Sequence, residues 1–594
     1  LKGCSPAPLA NYLKALGILR LVGEQADTQA RGWWEGERFC LLTKLSKGEL
    51  ETFFLEHYQP TPLVSPWNKG CGFFKASDPG LAPLESSTAL RFAAFRDGVQ
   101  ASRTLISEIS QADASIRAIK ARTKTAVKAF QSETQRTSLE NSAAYCECLS
   151  LLTTQLSKPD LTTDKRAEVE SEIADTRSIA AHADKPPTKS DVKALKDSAS
   201  YKRLLATADR QFKNFKATLI PDCKRAWRGP HADWISAAVV LNEADEPDWP
   251  SLLGTGGNDG NLDFTNNFMQ QLGGLFDLVS PSGSAKLNAR QLLENALWVS
   301  PANELAPAAI GQYQPGTAGG ANSSTGFDDG NLVNAFDFVL MMEGSIVFTS
   351  RATRRLDPNT FSRASAPFAV RPHAAGFATP GLEKAQRGEQ WMPLWRQPAT
   401  LRDVSAMFGE ARVQLARQTA NRPVDVARAI SRLGVARGIE SFVRYGYLER
   451  NGQSTFAVPL GRVAVRHRPL AYLIDNLANW MNNVERRSRD KNAPARLAHA
   501  ERRLAVLREI DASQDTDRQA EDGGERHQDQ AADDGVRHAT AKFPDRLWQL
   551  GEEVEVERRD PLGQEVAEDQ GQGHQESHGA DRGGGGGEMI DDAT

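Results

Sequence analysis

The residues Leu252–Phe268, LLGTGGNDGNLDFTNNF, hold the chain's densest concentration of side chains able to do recognition chemistry. Gly254, Gly256, Gly257 and Gly260 expose backbone N–H groups and permit positive φ, the ingredients of an anion-binding nest. Asn258, Asn261, Asn266 and Asn267 each add a donor and an acceptor, which can meet a sugar or a base edge. No Lys-Ser/Thr follows, so this is not a nucleotide P-loop, and the acidic ladder of a calcium loop is missing. The alternative is a pair of tight turns leading into a helix over 268–278.

Three further segments carry positive charge in forms suited to polyanions. Trp67-Asn68-Lys69-Gly70-Cys71-Gly72-Phe73-Phe74-Lys75 follows Pro60, Pro62 and Pro66. Its lysines, aromatics and glycines suit a loop approaching a phosphate backbone, with Asn68, Lys69 and Lys75 as contacts. The plainer account is a surface turn anchored by Trp67 and Phe73. Arg351, Arg354, Arg355 and Arg371 follow an apolar element at 336–348, where guanidinium groups could clamp phosphates bidentately or simply face water. Residues 424–465 read as two short helices, the second on Ile439, Phe442 and Val443, then a hairpin about Asn451-Gly452. That order resembles a winged helix-turn-helix, with Arg437, Arg444, Arg450 and Gln453 on or near the recognition face. The alternative is a hairpin-capped helical subdomain for protein contact.

The elements that must position these segments follow from pattern. Leu9, Tyr12, Leu13, Leu16 and Leu19 recur at helical spacing, so 1–24 reads as a helix with Ser5 as cap. A strand is expected at 38–45 and a short helix at 49–58. Residues 99–226 read as a long, polar helical insertion in three pieces, broken near Pro159 and Pro186, with a sparse stripe of Ile106, Ile109, Ile116 and Ile119. The fold class is α+β, multidomain and helix-rich, with that insertion and a winged-helix-like C-terminal subdomain. The expected domains are 1–98, an N-terminal α/β unit; 99–226, the helical insertion; 227–400, a core around the Gly/Asn loop; 401–508, a helical unit; and 509–594, a disordered acidic tail.

At 594 residues the chain can bury a large core without staples. Six scattered cysteines make no disulfide framework or zinc pattern, and the lone pair Cys146 and Cys148 is two apart on a helical stretch. There is no spanning apolar run and no leader, although the chain begins at Leu1 without a Met. A reduced, cytoplasmic protein without cofactor or metal is the expectation. The net charge of −4 conceals an asymmetry. Residues 509–594 hold 24 acidic and 8 basic side chains, leaving 64 basic and 52 acidic in 1–508, an excess of 12. A basic body suggests a polyanionic partner. The acidic stretch, with its Gly583–Gly587 run, reads as a solvated tail or as the product of a shifted reading frame.

The segments Leu1–Leu21, Pro60–Phe74, Leu252–Gln270, Phe336–Phe348 and Arg437–Arg462 together resemble the large subunit of the type I-G (formerly I-U) CRISPR effector complex, the family called Csx seventeen. They span most of 1–466. The insertion is longer than the family's pattern, and residues after 508 do not follow it. The resemblance implies a non-enzymatic subunit of an RNA-guided antiviral surveillance complex. It implies guide RNA, target DNA, backbone and guide-processing subunits and a recruited nuclease-helicase as partners, and no membrane. Base pairing would read the target while the protein contacts a flanking motif and the opened strands. An aromatic such as Phe73 or Phe264 would then be the candidate duplex wedge. Two rival classes are a nucleotide-dependent transferase or nuclease built on Asp259 and Asp263 in the 254–263 loop, and a scaffold that touches only protein.

Overall fold

The computed structural model describes residues 1–68, 71–74, 78–124, 139–181, 189–254, 264–302, 305–307, 313–315, 332–353, 363–370, 388–409, 414–415, 418–419, 426, 429–430, 438–449 and 455–465, with 487 and 494–496 beyond them. The chain divides into two units, Leu1–Ala520 and Glu521–Thr594, and every described residue belongs to the first. The fold is helix-rich α+β. Its helices, in order, are α1 (Leu9–Gln25), α2 (Lys47–Thr52), α3 (Leu81–Ser86), α4 (Ala93–Leu105), α5 (Ser107–Lys124), α6 (Ala143–Leu156), α7 (Thr163–Ala181), α8 (Lys189–Asp197), α9 (Ala199–Ala226), α10 (Pro230–Ala238), α11 (Phe264–Leu275), α12 (Ala289–Trp298), α13 (Ala335–Ser345) and α14 (Leu401–Gly409). The larger strands are β1 (Arg31–Glu35), β2 (Arg38–Leu42), β3 (Ala369–Val370), β4 (Glu389–Trp395), β5 (Ala399–Thr400), β6 (Ile439–Glu449) and β7 (Thr455–Ala464).

At the centre, α1 packs against α13. Both helices are apolar almost all round and buried along nearly their whole length, as a central helix should be. They approach through two glycines. A Cβ on Gly17 would sit 2.0 Å from the Leu340 carbonyl oxygen, and one on Gly344 would sit 1.8 Å from that of Leu13. Such a crossing tolerates no side chain on either helix. Around it lies a fully buried carboxylate, Glu343. Arg20 donates to Glu343 Oε2 at 2.7 Å, and the Thr61 hydroxyl donates to the same oxygen at 2.6 Å. The Tyr58 hydroxyl and the Thr61 backbone N–H donate to Oε1 at 2.6 and 2.9 Å. Burial, then the neighbouring Glu343 charge, hold the Tyr58 hydroxyl far above its ordinary pKa. A second pair, Lys14 with Asp337 at 2.7 Å, ties the same two helices nearly two turns nearer the start of α1.

Two antiparallel sheets flank this pair. One has the order β5–β1–β2, the other β7–β6–β4–β3. The Tyr12 hydroxyl on α1 donates to the Pro393 carbonyl at 2.7 Å, and the Trp395 indole donates to that of Gly32 at 2.8 Å. One continuous apolar core therefore includes residues from Cys4 to Val463. The boundary expected at 98/99 falls inside α4, and β5 pairs with β1, so residues 399–400 complete the N-terminal sheet. The insertion is a bundle in which α9 touches α5, α6, α7 and α8. Ile106, Ile116 and Ile119 are buried in it.

Three expectations change. The first helix begins at Leu9 with Pro8 as its cap residue, while the Ser5 hydroxyl donates to the Ala7 carbonyl. The segment expected as a helix at 49–58 is α2 followed by a π turn, Phe53–His57, which delivers Tyr58 to Glu343. The second helix of the winged-helix pattern does not form. Ile439, Phe442 and Val443 lie on β6, which pairs with β7 as the hairpin does, but also with β4. The hairpin is thus half of a four-stranded sheet, and a wing beside a recognition helix is not its role. The tail and residues 466–486 lie outside the described residues, as do 497–508. Among the described residues no helix is long and apolar enough to cross a membrane.

Gly17→Ala is expected to cost about 3 kcal/mol or more, the upper end for overpacking. Glu343→Ala is expected to cost about 3–5 kcal/mol by leaving Arg20 buried and unpaired. Urea unfolding followed by circular dichroism checks both; either variant with a wild-type midpoint contradicts the account of the helix pair.

Candidate nucleic-acid interface

The segment 60–74 and the start of α11 were expected as separate candidates. The structure brings them together. Trp67 is buried and stacks on Trp227, at the end of α9, with ring centroids 6.3 Å apart. It also meets Trp249 at 6.3 Å, just ahead of the one-turn helix Ser251–Gly254 that leads into the Gly/Asn stretch. Beyond Trp67 the Asn68 carbonyl accepts the Cys71 N–H at 3.1 Å. The Cys71 thiol then meets the Thr265 hydroxyl of α11, sulfur to oxygen 2.8 Å. Gly72 adopts φ +84°, and a Cβ there would lie 2.7 Å from Leu81 and 2.8 Å from Asp78. This is a place where only glycine fits. Asp78 Oδ1 accepts the N–H groups of Gly80 and Leu81 at 2.9 and 3.2 Å and so starts α3.

The far side of the segment is held by the insertion. Arg103 on α4 donates to the Phe73 carbonyl at 2.7 Å, and its guanidinium carbon lies 5.2 Å from the centre of that ring. The same guanidinium forks onto Glu85 at 3.0 and 2.8 Å. Phe74 packs edge-on against Phe212 of α9 at 5.8 Å. Beside Arg103 runs an open groove of about 310 Å³, lined by Ile106, Ser107, Ser110, Gln111 and Ala114. Sequence reasoning missed Arg103, Trp227 and Trp249 as parts of this region. None stands in a motif; their partners are far along the chain.

The expected contact residues fare unevenly. Asn68 is buried, and its N–H donates to the Ser65 carbonyl at 2.9 Å. It is part of the turn's interior and is withdrawn as a surface contact. The same applies to the aromatic wedge, since Phe73 and Phe264 are both buried, the latter stacked on Tyr313 at 5.5 Å. Asn266 and Asn267 stand half-buried in the first turn of α11. Asn266 Oδ1 is buried and has no partner among the described residues, and a Cβ on Gly80 would lie 3.1 Å from it. Arg351 lies on a short strand, Arg351–Thr353, paired with Arg363–Ser365. Lys69, Lys75, Asn258, Asn261, Arg354, Arg355, Arg371, Arg437, Arg450 and Gln453 lie outside the described residues.

Arg444 is corrected most clearly. It is buried on β6, forks onto Glu389 of β4 at 3.0 and 2.8 Å, and covers the Trp391 ring at 5.3 Å. The Trp391 indole donates to the same carboxylate at 2.9 Å. The cation is consumed inside the sheet. Among the described residues no group of three or more His, Cys, Asp and Glu could hold a metal ion. The cysteines are free thiols, and burial pushes those of Cys4 and Cys148 up to about 11.

Arg444→Ala is expected to destabilise by about 3–5 kcal/mol through the stranded Glu389. Arg444→Ala/Glu389→Ala should recover much of that loss. In thermal melts, a single variant as stable as wild type would make Arg444 a free cation again. No protein-family model matches the chain, and no curated protein matches it.

Proposed function

We infer that this chain is the large subunit of an RNA-guided surveillance complex, which contacts the flanking motif and opened strands of target DNA and performs no chemistry itself. The observation that carries the reading is the junction at Cys71 and Thr265. It joins, in one place, the ends of the two segments whose glycines, lysines and asparagines suit backbone and base contacts. Phosphate contacts would supply affinity and salt dependence, and the guide RNA would supply sequence. The partners under this reading are guide RNA, target DNA, the backbone and guide-processing subunits and a recruited nuclease-helicase, in the cytoplasm.

The internal use of Asn68 and Arg444 favours a second reading, a scaffold that contacts only protein. One experiment separates the two. The chain is assembled with its companion subunits and guide RNA, and binding to duplex targets is measured across a library of flanking sequences. Under the first reading, alanine at Lys69, Asn258 and Asn261 flattens the flanking preference and weakens target binding at least tenfold. If preference and affinity both survive, the chain is a scaffold. NTP hydrolysis or DNA cleavage by the purified chain, lost on Asp259→Ala, would overturn both in favour of an enzyme.

A further inference from the structure

The helical insertion is charged in a sorted way. Residues 99–226 hold 22 basic and 16 acidic side chains, half of the excess carried by 1–508. Within it, α5, α8 and α9 together hold 14 basic and 6 acidic residues, whereas 143–181, which covers α6 and α7, holds 4 and 7. Two of the three arginines of α9 turn toward those acids, and the third, Arg225, pairs with Asp222 and Asp245. Arg203 pairs with Glu172 of α7 at 2.7 Å, and Arg210 pairs with Glu147 of α6. The lysines do not. Lys193 and Lys196 on α8 and Lys213 on α9 are exposed and make no ion pair among the described residues.

Their spacing is regular. Lys193 and Lys196 stand at i and i+3, on one face of α8. Lys202 and Lys213, both exposed, are eleven residues apart on α9, which returns them to nearly the same side after three turns. On α5, Arg117 and Lys120 are exposed at i and i+3, with Arg117 paired to Asp113 of the same helix at 3.3 Å. The three helices pack on one another pairwise. Gathering so many cations on adjoining helices costs stability through repulsion, unless a polyanion relieves it.

We propose that the α5–α8–α9 limb of the insertion is a second nucleic-acid surface, one that grips the phosphodiester backbone without regard to sequence. Lysine suits this task, because it acts as a mobile point charge and needs no fixed fork geometry. The proposal extends the reading given under Proposed function, but it concerns a different face and is tested separately. Among the described residues no exposed aromatic ring stands beside these lysines for a base to stack on, which favours the duplex backbone over a single strand.

The test uses the full chain and a random-sequence 30-base-pair duplex labelled with fluorescein, with anisotropy read across a salt series. Lys193→Glu/Lys196→Glu/Lys213→Glu is expected to lose at least tenfold in affinity. The slope of log affinity against log salt should fall by about 0.9 for each phosphate that is no longer neutralised. The matched control, Lys2→Glu/Arg38→Glu/Lys44→Glu, changes the net charge equally at exposed residues elsewhere. An equal loss in the control means that only net charge is at work and overturns the proposal. So does a wild-type slope in the α8–α9 variant. Lys→Gln at the same three positions, with unchanged circular dichroism, guards against misfolding and should give an intermediate slope. Loss of binding to polyglutamate with duplex binding intact would assign the face to an acidic protein instead. The guide-dependent assay above stays separate: a complex without flanking preference would end the surveillance reading and leave this salt dependence standing.

Discussion

The fold is organised around the contact between α1 and α13. Two glycines bring the helix backbones closer than any side chain allows, and Glu343 is buried beside them with four donors converging on it. The geometry is mutually enforcing. Gly17 and Gly344 set the distance, and that distance places Glu343 within reach of Arg20. A carboxylate with no exposure persists only when its charge is matched and its oxygens are filled, and here both conditions are met. The remaining partners, Tyr58 and Thr61, come from the start of the proline-rich stretch. The same network that locks the helices therefore fixes where the Trp67 turn begins.

From that anchor the path of the chain to the candidate interface can be followed. Proline breaks carry it from Thr61 past Val64, whose carbonyl accepts the Trp234 indole at 3.0 Å, to Trp67. Three tryptophans, from residues 67, 227 and 249, then gather the turn, the end of α9 and the approach to the Gly/Asn stretch. Polar contacts at Cys71 and Arg103 finish the placement. Apolar packing supplies most of the attraction between these pieces, and the polar contacts fix their register.

The first helix and the helical character of the insertion were legible in sequence, because they carry a helical apolar period or long stretches without Gly or Pro, whereas the apolar run of α13 gave burial without saying helix or strand. The error at 439–449 has a physical cause. Residues 441–447 are buried on both faces of the strand, so the apolar pattern is nearly continuous. Ile439, Phe442 and Val443 then fit a helical period as well as a strand, and only the aromatic and β-branched content argues for β. Asn68 and Arg444 were misjudged for another reason. A polar side chain read alone is expected at the surface, and its burial depends on a partner that sequence does not name. Glu389 lies 55 residues before Arg444, with β4 and β6 between them to be paired first. The Cys71 contact with Thr265 spans a still longer separation and has no local signature.

Helix α9 gives these parts a mechanical relation. It is 28 residues long, about 42 Å at 1.5 Å per residue, and nearly every helix of the insertion leans on it. Lys202 stands in its first turn, its middle carries Lys213 and holds Phe74 through Phe212, and its final residue adjoins Trp227. Pro221 sits inside it, one to two turns before that tryptophan, where it deletes a backbone donor and leaves the carbonyl four residues earlier without its usual bond. The strut is thus stiff along most of its span and softest next to the indole cluster. A push or pull on the outlying bundle would be taken up as bending at this proline, so strain arising at the periphery would be delivered to the roots of the Trp67 turn and not to the glycine crossing.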